Sequence, residues 1–285
     1  MRSLLFAPAN RQELVAKFPR CAADLFVIDL EDGTPEAERN DARRALPSMV
    51  SALRGTGFNH PLFIRINQPR SAHFDADLEA VAVIPIDGVM VPKLETASDL
   101  LGVSATLERG ERTRPDVPRG VLGLIETAAD VANAESLARC DGRLWALAFG
   151  AEDFITDIGG RRTPDGLEIL YARSRVVLAA KAADIGALDQ VVVDVRDDAQ
   201  FRRDAAMGRQ LGYDGKMCLL PRQVDLANEA FSPSEEEITR SRRLIHAFEQ
   251  ARREGRGAFE FEGSMVDEPL IRRARAVLDL GARHG

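Results

Sequence analysis

Short apolar runs alternate with longer amphipathic segments along most of the chain, and this alternation restricts the fold more than any other feature of the sequence. Eight runs are candidate strands because they are short and apolar on both faces, as buried parallel strands are. They cover residues 3–6, 25–29, 62–66, 88–91, 121–125, 144–149, 190–193 and 216–219. Helical patterns cover residues 38–53, 77–83, 97–108, 128–138, 165–185, 199–211, 223–230, 234–254 and 268–282.

Strands and helices in this order are typical of a closed (β/α)₈ barrel or of an open doubly wound sheet. A dinucleotide-binding sheet has a glycine-rich turn after its first strand, but here that turn reads APAN (7–10). The 285 residues are enough for one complete barrel. We therefore expect a single α/β domain, a (β/α)₈ TIM barrel over residues 1–231, and a C-terminal helical segment or lid over residues 232–285.

The composition argues against several classes of partner and site. A net charge of −7, from 38 basic and 45 acidic residues, is not typical of nucleic-acid binding. No apolar stretch has the length of a membrane span or of a signal-peptide core, so we expect a cytoplasmic protein with no membrane partner. Three separated cysteines argue against a disulfide framework or a structural zinc site. The four histidines lie away from the predicted strand ends, which argues against a histidine-based mechanism.

Polar residues follow the predicted strands at the point where a barrel builds its active site. In chain order they are Asp29, Glu31 and Asp32 after strand 2, Arg65 and Asn67 at strand 3, Lys93 after strand 4, Glu126 after strand 5, and Glu152 and Asp153 after strand 6. Carboxylates that converge on one mouth repel each other unless a cation neutralises them. Oxygen ligands without histidine or cysteine point to Mg²⁺ or Mn²⁺ rather than zinc.

Glu126 and Asp153 follow adjacent strands and are the predicted metal ligands. The planar guanidinium of Arg65 suits a substrate carboxylate. Plainer interpretations stay open, because Glu126 can act as a helix cap and Arg65 as the partner in a structural salt bridge. Three further carboxylates are expected to accept hydrogen bonds from metal-bound waters, namely Asp29, Glu31 and Asp32.

Eight short motifs occur in a fixed order and span nearly the whole chain. They are LFAPANR (5–11), IDLED (28–32), IRIN (64–67), VPK (91–93), LIETA (124–128), FGAEDF (149–154), LGYDGK (211–216) and GSMVD (263–267). As a set they resemble the citrate lyase β-subunit-like proteins, which belong with malyl-CoA and citramalyl-CoA lyases to the HpcH/HpaI aldolase superfamily. The resemblance implies a Mg²⁺-dependent barrel of the phosphoenolpyruvate/pyruvate type, with Mn²⁺ as a substitute metal.

The resemblance also implies roles for individual residues. Glu126 and Asp153 correspond to the metal ligands, and Arg65 corresponds to the residue that binds the substrate carboxylate. Three positions correspond to residues that contact the CoA thioester in related lyases, namely Phe6, Arg11 and Lys17.

The C-terminal segment extends the resemblance to the quaternary structure. Asp267 matches a residue that transfers a proton in the active site of a neighbouring subunit, which implies a homo-oligomer, either a trimer or a multiple of it.

One departure concerns the segment after the last strand. Relatives usually have Ile-His-Pro there, whereas this chain has Leu219-Leu220-Pro221 and so lacks a polar contact near the CoA arm.

The implied reaction is the cleavage or formation of a thioester such as malyl-CoA or citramalyl-CoA, with acetyl-CoA or a related acyl-CoA and a 2-oxo acid as the other partners. Hydrolysis of the same thioesters is one alternative. A citrate lyase β-subunit acting on a carrier-bound thioester is another, although the full C-terminal segment favours a stand-alone lyase. A catalytically silent barrel that binds CoA esters or a partner protein is a third. The presence of Arg65, Glu126, Asp153 and Asp267 argues against that one, because such polar groups are costly without a function.

Overall fold

A closed barrel of parallel strands forms the larger part of the molecule. The computed structural model describes residues 1–112, 120–255 and 257–284. Within these ranges eight strands pair in chain order and the last pairs with the first, which confirms the predicted (β/α)₈ barrel. The strands are Ser3–Pro8 (β1), Leu25–Asp29 (β2), Leu62–Arg65 (β3), Gly88–Pro92 (β4), Gly120–Ile125 (β5), Leu144–Phe149 (β6), Gly186–Asp189 (β7) and Gly215–Cys218 (β8).

Helices connect the strands and cover the outside of the sheet, so most strand residues are buried on both faces. None of the helices in the described ranges has the length and apolar character needed to cross a membrane. The helices up to the last strand are Gln12–Val15 (α1), Arg39–Gly55 (α2), Phe74–Val81 (α3), Ala97–Glu111 (α4), Ala128–Cys140 (α5), Ala151–Asp157 (α6), Leu167–Ala182 (α7) and Asp198–Leu211 (α8). Pro221–Phe231 (α9) follows β8.

The barrel interior is filled by apolar side chains from nearly every strand. Leu4, Val27, Phe63, Leu122 and Leu188 belong to one buried cluster. All six residues of β5 and all five of β4 are buried, which explains why these strands read as continuous apolar runs and not as alternating patterns. The closed interior therefore leaves the loops after the strands as the place where polar side chains can gather.

The predicted position of β7 is wrong. The β-branched run 190–193 was expected to form this strand, but the strand is Gly186–Asp189 and Val193 is largely exposed. The carboxylate of Asp189 is buried at the strand end because Arg173 and Lys216 hold it, with nitrogen–oxygen distances of 2.5 and 3.2 Å. Pairing with residues distant in sequence compensates the burial of this polar residue, and a local pattern does not show such pairing. Helix α6 was also not predicted.

A second compact unit covers Glu229–Gly285, after a first unit that covers Met1–Asn228. It contains Glu235–Arg253 (α10), an antiparallel hairpin of Phe259–Phe261 (β9) and Ser264–Val266 (β10), and Glu268–His284 (α11). Ser234 and Glu237 form a reciprocal capping box at the start of α10. A small apolar core around Phe248 and Phe259 holds the helices and the hairpin together. Both helices were predicted, whereas the hairpin was not.

Candidate active site

A cavity of about 380 Å³ opens where β1, β2, β3, β5, β6, β7 and β8 end. Both polar and apolar side chains line it. The polar side chains that line it are Asp29, Asp32, Arg65, Glu126, Glu152 and Asp153. The apolar lining consists of Phe6, Pro8, Leu124, Val191, Val193, Met217 and Leu219. A polar molecule with an apolar part therefore fits this cavity better than a purely polar one.

Arg65 is held by Asp29 through two parallel hydrogen bonds. Its Nε donates to Oδ1 of Asp29 at 2.8 Å and its Nη2 donates to Oδ2 at 2.6 Å. The guanidinium also lies over the ring of Phe6, with Cζ 5.5 Å from the ring centroid. The salt bridge considered for Arg65 is thus present. It fixes the plane of the guanidinium, while Nη1 lies 3.1 Å from Oε2 of Glu31 and 3.4 Å from Oδ2 of Asp32.

Asp29 also organises the loop that follows β2. Its two carboxylate oxygens accept hydrogen bonds from the backbone N–H groups of Glu31 and Gly33, at 2.9 and 2.8 Å. A side chain on Gly33 would collide with this carboxylate, because an added Cβ would lie 2.4 Å from Oδ2 of Asp29. With both oxygens engaged, Asp29 supports the polar side of the cavity and is less available to a bound water than the exposed Asp32.

Glu126 does not cap the helix that follows it. Thr127 is the N-cap of α5, and its side chain and that of Asp130 form a reciprocal capping box. Asp130 also accepts a hydrogen bond from the backbone N–H of Glu126 at 2.8 Å. The carboxylate of Glu126 is thereby left to line the cavity, and the capping interpretation is wrong.

Two buried carboxylates at this site have unpaired oxygens. Oε1 of Glu126 and Oε2 of Glu31 form no hydrogen bond, although the latter lies 3.1 Å from Nη1 of Arg65. Burial raises the pKa of Glu31 to about 7, and the neighbouring Asp32 and Asp29 add to the rise. Burial also raises the pKa of Glu126 well above its ordinary value, and the charge of Glu31 adds to this. Buried carboxylate oxygens without a partner are rare, and a bound cation would provide the partner that Oε1 of Glu126 lacks.

Asp153 lies in the first turn of α6 and is 41% exposed. Its Oδ1 lies 3.0 Å from Nζ of Lys93, which follows β4. Burial lowers the pKa of Lys93, but the hydrogen bond to Asp153 and the charges of Glu126, Asp153 and Glu31 outweigh burial and raise it overall. No role was predicted for Lys93, although the sequence places it directly after a predicted strand.

Three predicted site residues of the first unit do not line the cavity, namely Glu31, Arg11 and Lys17. Arg11 is exposed on the loop after β1 and pairs with Glu13 at 2.5 Å. Lys17 is also exposed, between α1 and the next strand. Asp267 belongs to the second unit, where it is exposed at the start of α11 and its backbone carbonyl accepts the N–H groups of Leu270 and Ile271.

A second cavity of about 670 Å³ shares Glu152, Val191 and Val193 with the first. It is the larger of the two, yet two of the carboxylates that line it are paired with cations. Arg162 pairs with Glu152 at 2.9 Å, and Arg173 pairs with Asp204 at 3.1 Å. We therefore take the smaller cavity, which contains the unpaired carboxylate of Glu126, as the candidate active site.

The residues around the smaller cavity fit a divalent cation that prefers oxygen ligands. The described residues contain no ready-made cage of three or more His, Cys, Asp or Glu side chains. Mg²⁺ does not need one, because it keeps several waters and binds one or two protein carboxylates. Glu126 offers a buried oxygen without a partner, and Asp153 lines the same cavity.

Comparison with known proteins identifies the group to which these features belong. The family model described as HpcH/HpaI aldolase/citrate lyase matches residues 2–221. The chain is 46% identical to a citrate lyase subunit beta-like protein of Deinococcus radiodurans over 98% of this chain and 96% of that protein. It is 32% identical to a mitochondrial citramalyl-CoA lyase of Rattus norvegicus over 98% of this chain and 85% of that protein.

A solved structure shows the same architecture. The protein CitE from Mycobacterium tuberculosis, in complex with magnesium, acetoacetate and coenzyme A, superposes with a TM-score of 0.83. The two chains are 33% identical, and the match covers 99% of this chain and 98% of the other. The resemblance read from the motifs is therefore confirmed, and so is the expected class of enzyme, a carbon–carbon lyase.

Proposed function

This chain belongs to the HpcH/HpaI aldolase/citrate lyase family, and we propose that it is a Mg²⁺-dependent lyase that cleaves or forms a 3-hydroxyacyl-CoA thioester. Malyl-CoA and citramalyl-CoA are the expected substrates, with acetyl-CoA or a related acyl-CoA and a 2-oxo acid such as glyoxylate or pyruvate as products. The relative named citramalyl-CoA lyase and the CitE complex with magnesium and coenzyme A support this choice.

The observation that carries the proposal is the excess of negative charge at the cavity. Among the described residues at the cavity and beside it, six carboxylates (Asp29, Glu31, Asp32, Glu126, Glu152 and Asp153) face three cations (Arg65, Lys93 and Arg162), so the formal charge with every group ionised is −3. A divalent cation reduces this charge to −1 and provides Oε1 of Glu126 with the partner that it lacks. We propose Glu126 and Asp153 as its protein ligands, with Asp29, Glu31 and Asp32 in the surrounding shell.

The protein side chains have separate tasks in this proposal. Bound Mg²⁺ supplies Lewis-acid polarisation of the substrate carbonyl or hydroxyl oxygen. Arg65, which is held in plane by Asp29 and lines the cavity, binds the substrate carboxylate. Phe6, Leu124 and Met217 form the apolar wall that limits the access of water to the thioester. Water exclusion favours carbon–carbon cleavage over hydrolysis.

Proton transfer to the thioester carbon requires an acid. We assign this role to Asp267, supplied by the C-terminal unit of a second copy in a trimer or a multiple of it. In cleavage, the substrate hydroxyl gives its proton to a solvent water, and the carbon–carbon bond breaks to leave the 2-oxo acid and a thioester enolate. The enolate takes a proton from Asp267, which solvent then reprotonates. Phe6, Arg11 and Lys17 are proposed to contact the CoA arm, whose phosphates suit the two exposed cations. The protein is proposed to act in the cytoplasm.

The proposal is tested by analysis of the products. Purified protein is incubated with Mg²⁺ and malyl-, β-methylmalyl- or citramalyl-CoA, and both the released 2-oxo acid and the free CoA thiol are followed. We expect a 2-oxo acid with the acyl thioester intact, and no reaction in EDTA. Free thiol without an oxo acid would identify a thioesterase instead. No turnover of any CoA ester would favour a carrier-bound substrate or a non-catalytic role.

Substitution of Asp267 separates its proposed role from metal binding. We expect Asp267→Asn to reduce turnover by at least about a hundredfold, the typical contribution of a general acid, with unchanged Mg²⁺ affinity. Asp279 lies on α11, the helix that begins directly after Asp267, so Asp279→Asn serves as the matched control and should keep full turnover. Retained turnover in Asp267→Asn would show that another group delivers the proton.

A further inference from the structure

Lys93 has an unusual backbone conformation at the end of β4. Its φ is +48°, in the left-handed region that residues with a side chain rarely adopt. Strained residues of this kind persist where the surrounding structure requires them, and they cluster at functional sites. The strained backbone at Lys93 therefore indicates that the position of its side chain matters for function.

The side chain of Lys93 lies among the carboxylates of the cavity. Its Nζ is 3.0 Å from Oδ1 of Asp153, and the charges of Glu126 and Glu31 act on it as well. The side chain is 22% exposed, so part of it is in contact with solvent. The ammonium of a lysine sits on a flexible stem and is held less firmly than the guanidinium of Arg65, which both oxygens of Asp29 bind.

The two cations of the cluster are thus not equivalent. Arg65 is part of a rigid double hydrogen bond, whereas Lys93 has one partner, and that partner is a proposed metal ligand. An ammonium beside Asp153 neutralises part of the same charge that a divalent cation would neutralise. The ammonium of Lys93 and a divalent metal ion would therefore compete for the carboxylate oxygens of Asp153.

We propose that Lys93 is a displaceable internal cation, which pairs with Asp153 in the metal-free protein and moves aside when the divalent cation binds. This inference rests on the proposed metal site. Under it, Lys93 limits the affinity of the site for the metal, and the strained backbone keeps the ammonium close enough to compete. Removal of the ammonium should consequently tighten metal binding.

The test is a titration of the metal-free protein with Mn²⁺, followed by the electron paramagnetic resonance signal of free Mn²⁺. Because a competing positive charge is lost, we expect Lys93→Met to bind Mn²⁺ at least about tenfold more tightly than the wild type. Lys181→Met is the matched control. Lys181 lies on α7 and pairs with Asp214, and neither residue lines the cavity, so its loss should leave the affinity unchanged.

Two further variants make the outcomes distinguishable. Lys93→Gly removes the same charge and also the backbone strain, so it should tighten binding even if Lys93→Met folds poorly. Glu126→Gln reports whether Mn²⁺ occupies the proposed site. If Glu126→Gln abolishes binding but both Lys93 variants bind as weakly as the wild type, the inference about Lys93 is refuted and the metal site stands. Wild-type protein that binds no Mn²⁺, or binds it equally well after Glu126→Gln, would refute the metal site and the inference together.

Discussion

The unpaired carboxylate of Glu126 leads to an unusual prediction, namely that its neutral analogue stabilises the metal-free protein. Glu126 is 3% exposed, its Oε1 has no hydrogen-bond partner, and burial raises its pKa well above the ordinary 4.5. A carboxyl group whose pKa is raised in the folded state destabilises that state at every pH above the pKa that the same group has in the unfolded chain. At neutral pH the substitution Glu126→Gln removes this penalty while it keeps the shape of the side chain.

The expected gain follows from the environment of the group. A buried polar group without a partner costs about 1–3 kcal/mol, and more when it is charged. The amide of Gln still needs partners, so we expect Glu126→Gln to gain about 1–3 kcal/mol in the free energy of unfolding in EDTA at pH 7.5. The gain should shrink as the pH falls toward 4.5, because Glu126 is then protonated in the folded protein.

The assay is thermal or urea unfolding of both proteins in EDTA and in excess Mg²⁺. A ligand that is present at about a hundred times its Kd adds about 2.7 kcal/mol to the stability of the protein that binds it. Mg²⁺ should stabilise the wild type by an amount of this size and leave Glu126→Gln nearly unchanged, so the order of stability reverses. If Glu126→Gln is less stable than the wild type in EDTA, the carboxylate has a partner in the metal-free protein and the reasoning fails.

Three further predictions concern the barrel around the site. Lys216→Met should cost about 3–5 kcal/mol in urea unfolding, because it removes the buried ammonium that pairs with Asp189 and Asp204 and leaves both carboxylates to share Arg173, and a loss below about 1 kcal/mol would contradict this. Gly150→Ala should weaken Mg²⁺ binding in calorimetry, since an added Cβ would lie 2.6 Å from Oε2 of Glu126, whereas Gly142→Ala has no atom within 4 Å and should bind normally. Burial raises the pKa of the Cys218 thiol to about 12, so iodoacetamide at pH 8 should label it only after unfolding, and labelling of the native protein would show that the barrel opens there.

The barrel could be predicted because its strands are buried on both faces and therefore appear as separate apolar runs. The same criterion failed at β7, where Gly186–Asp189 is polar at its end and the following run 190–193 is more β-branched. The true strand is held by Asp189, Arg173 and Lys216, which lie up to 43 residues apart in sequence. Such long-range compensation of a buried charge is invisible in a local window.

The convergence of polar groups at the cavity was partly predictable for a similar reason. Arg65, Glu126 and Asp153 follow strands, and strand ends meet at one face of a barrel, so the structure places them around the same cavity. The special position of Lys93 was not predictable, because a positive φ at a residue other than glycine depends on the surrounding structure. The exposure of Arg11 likewise depends on the loop conformation after β1.

The most direct test of carbon–carbon cleavage through a thioester enolate is isotope incorporation. Citramalyl-CoA and malyl-CoA are incubated with the enzyme and Mg²⁺ in deuterated water, and the acyl-CoA formed at early times is examined by mass spectrometry. Protonation of the enolate by an acid that exchanges with solvent predicts one deuterium in the methyl group of acetyl-CoA, and no product in EDTA. Unlabelled acetyl-CoA, or free CoA thiol in its place, would contradict the proposed lyase mechanism.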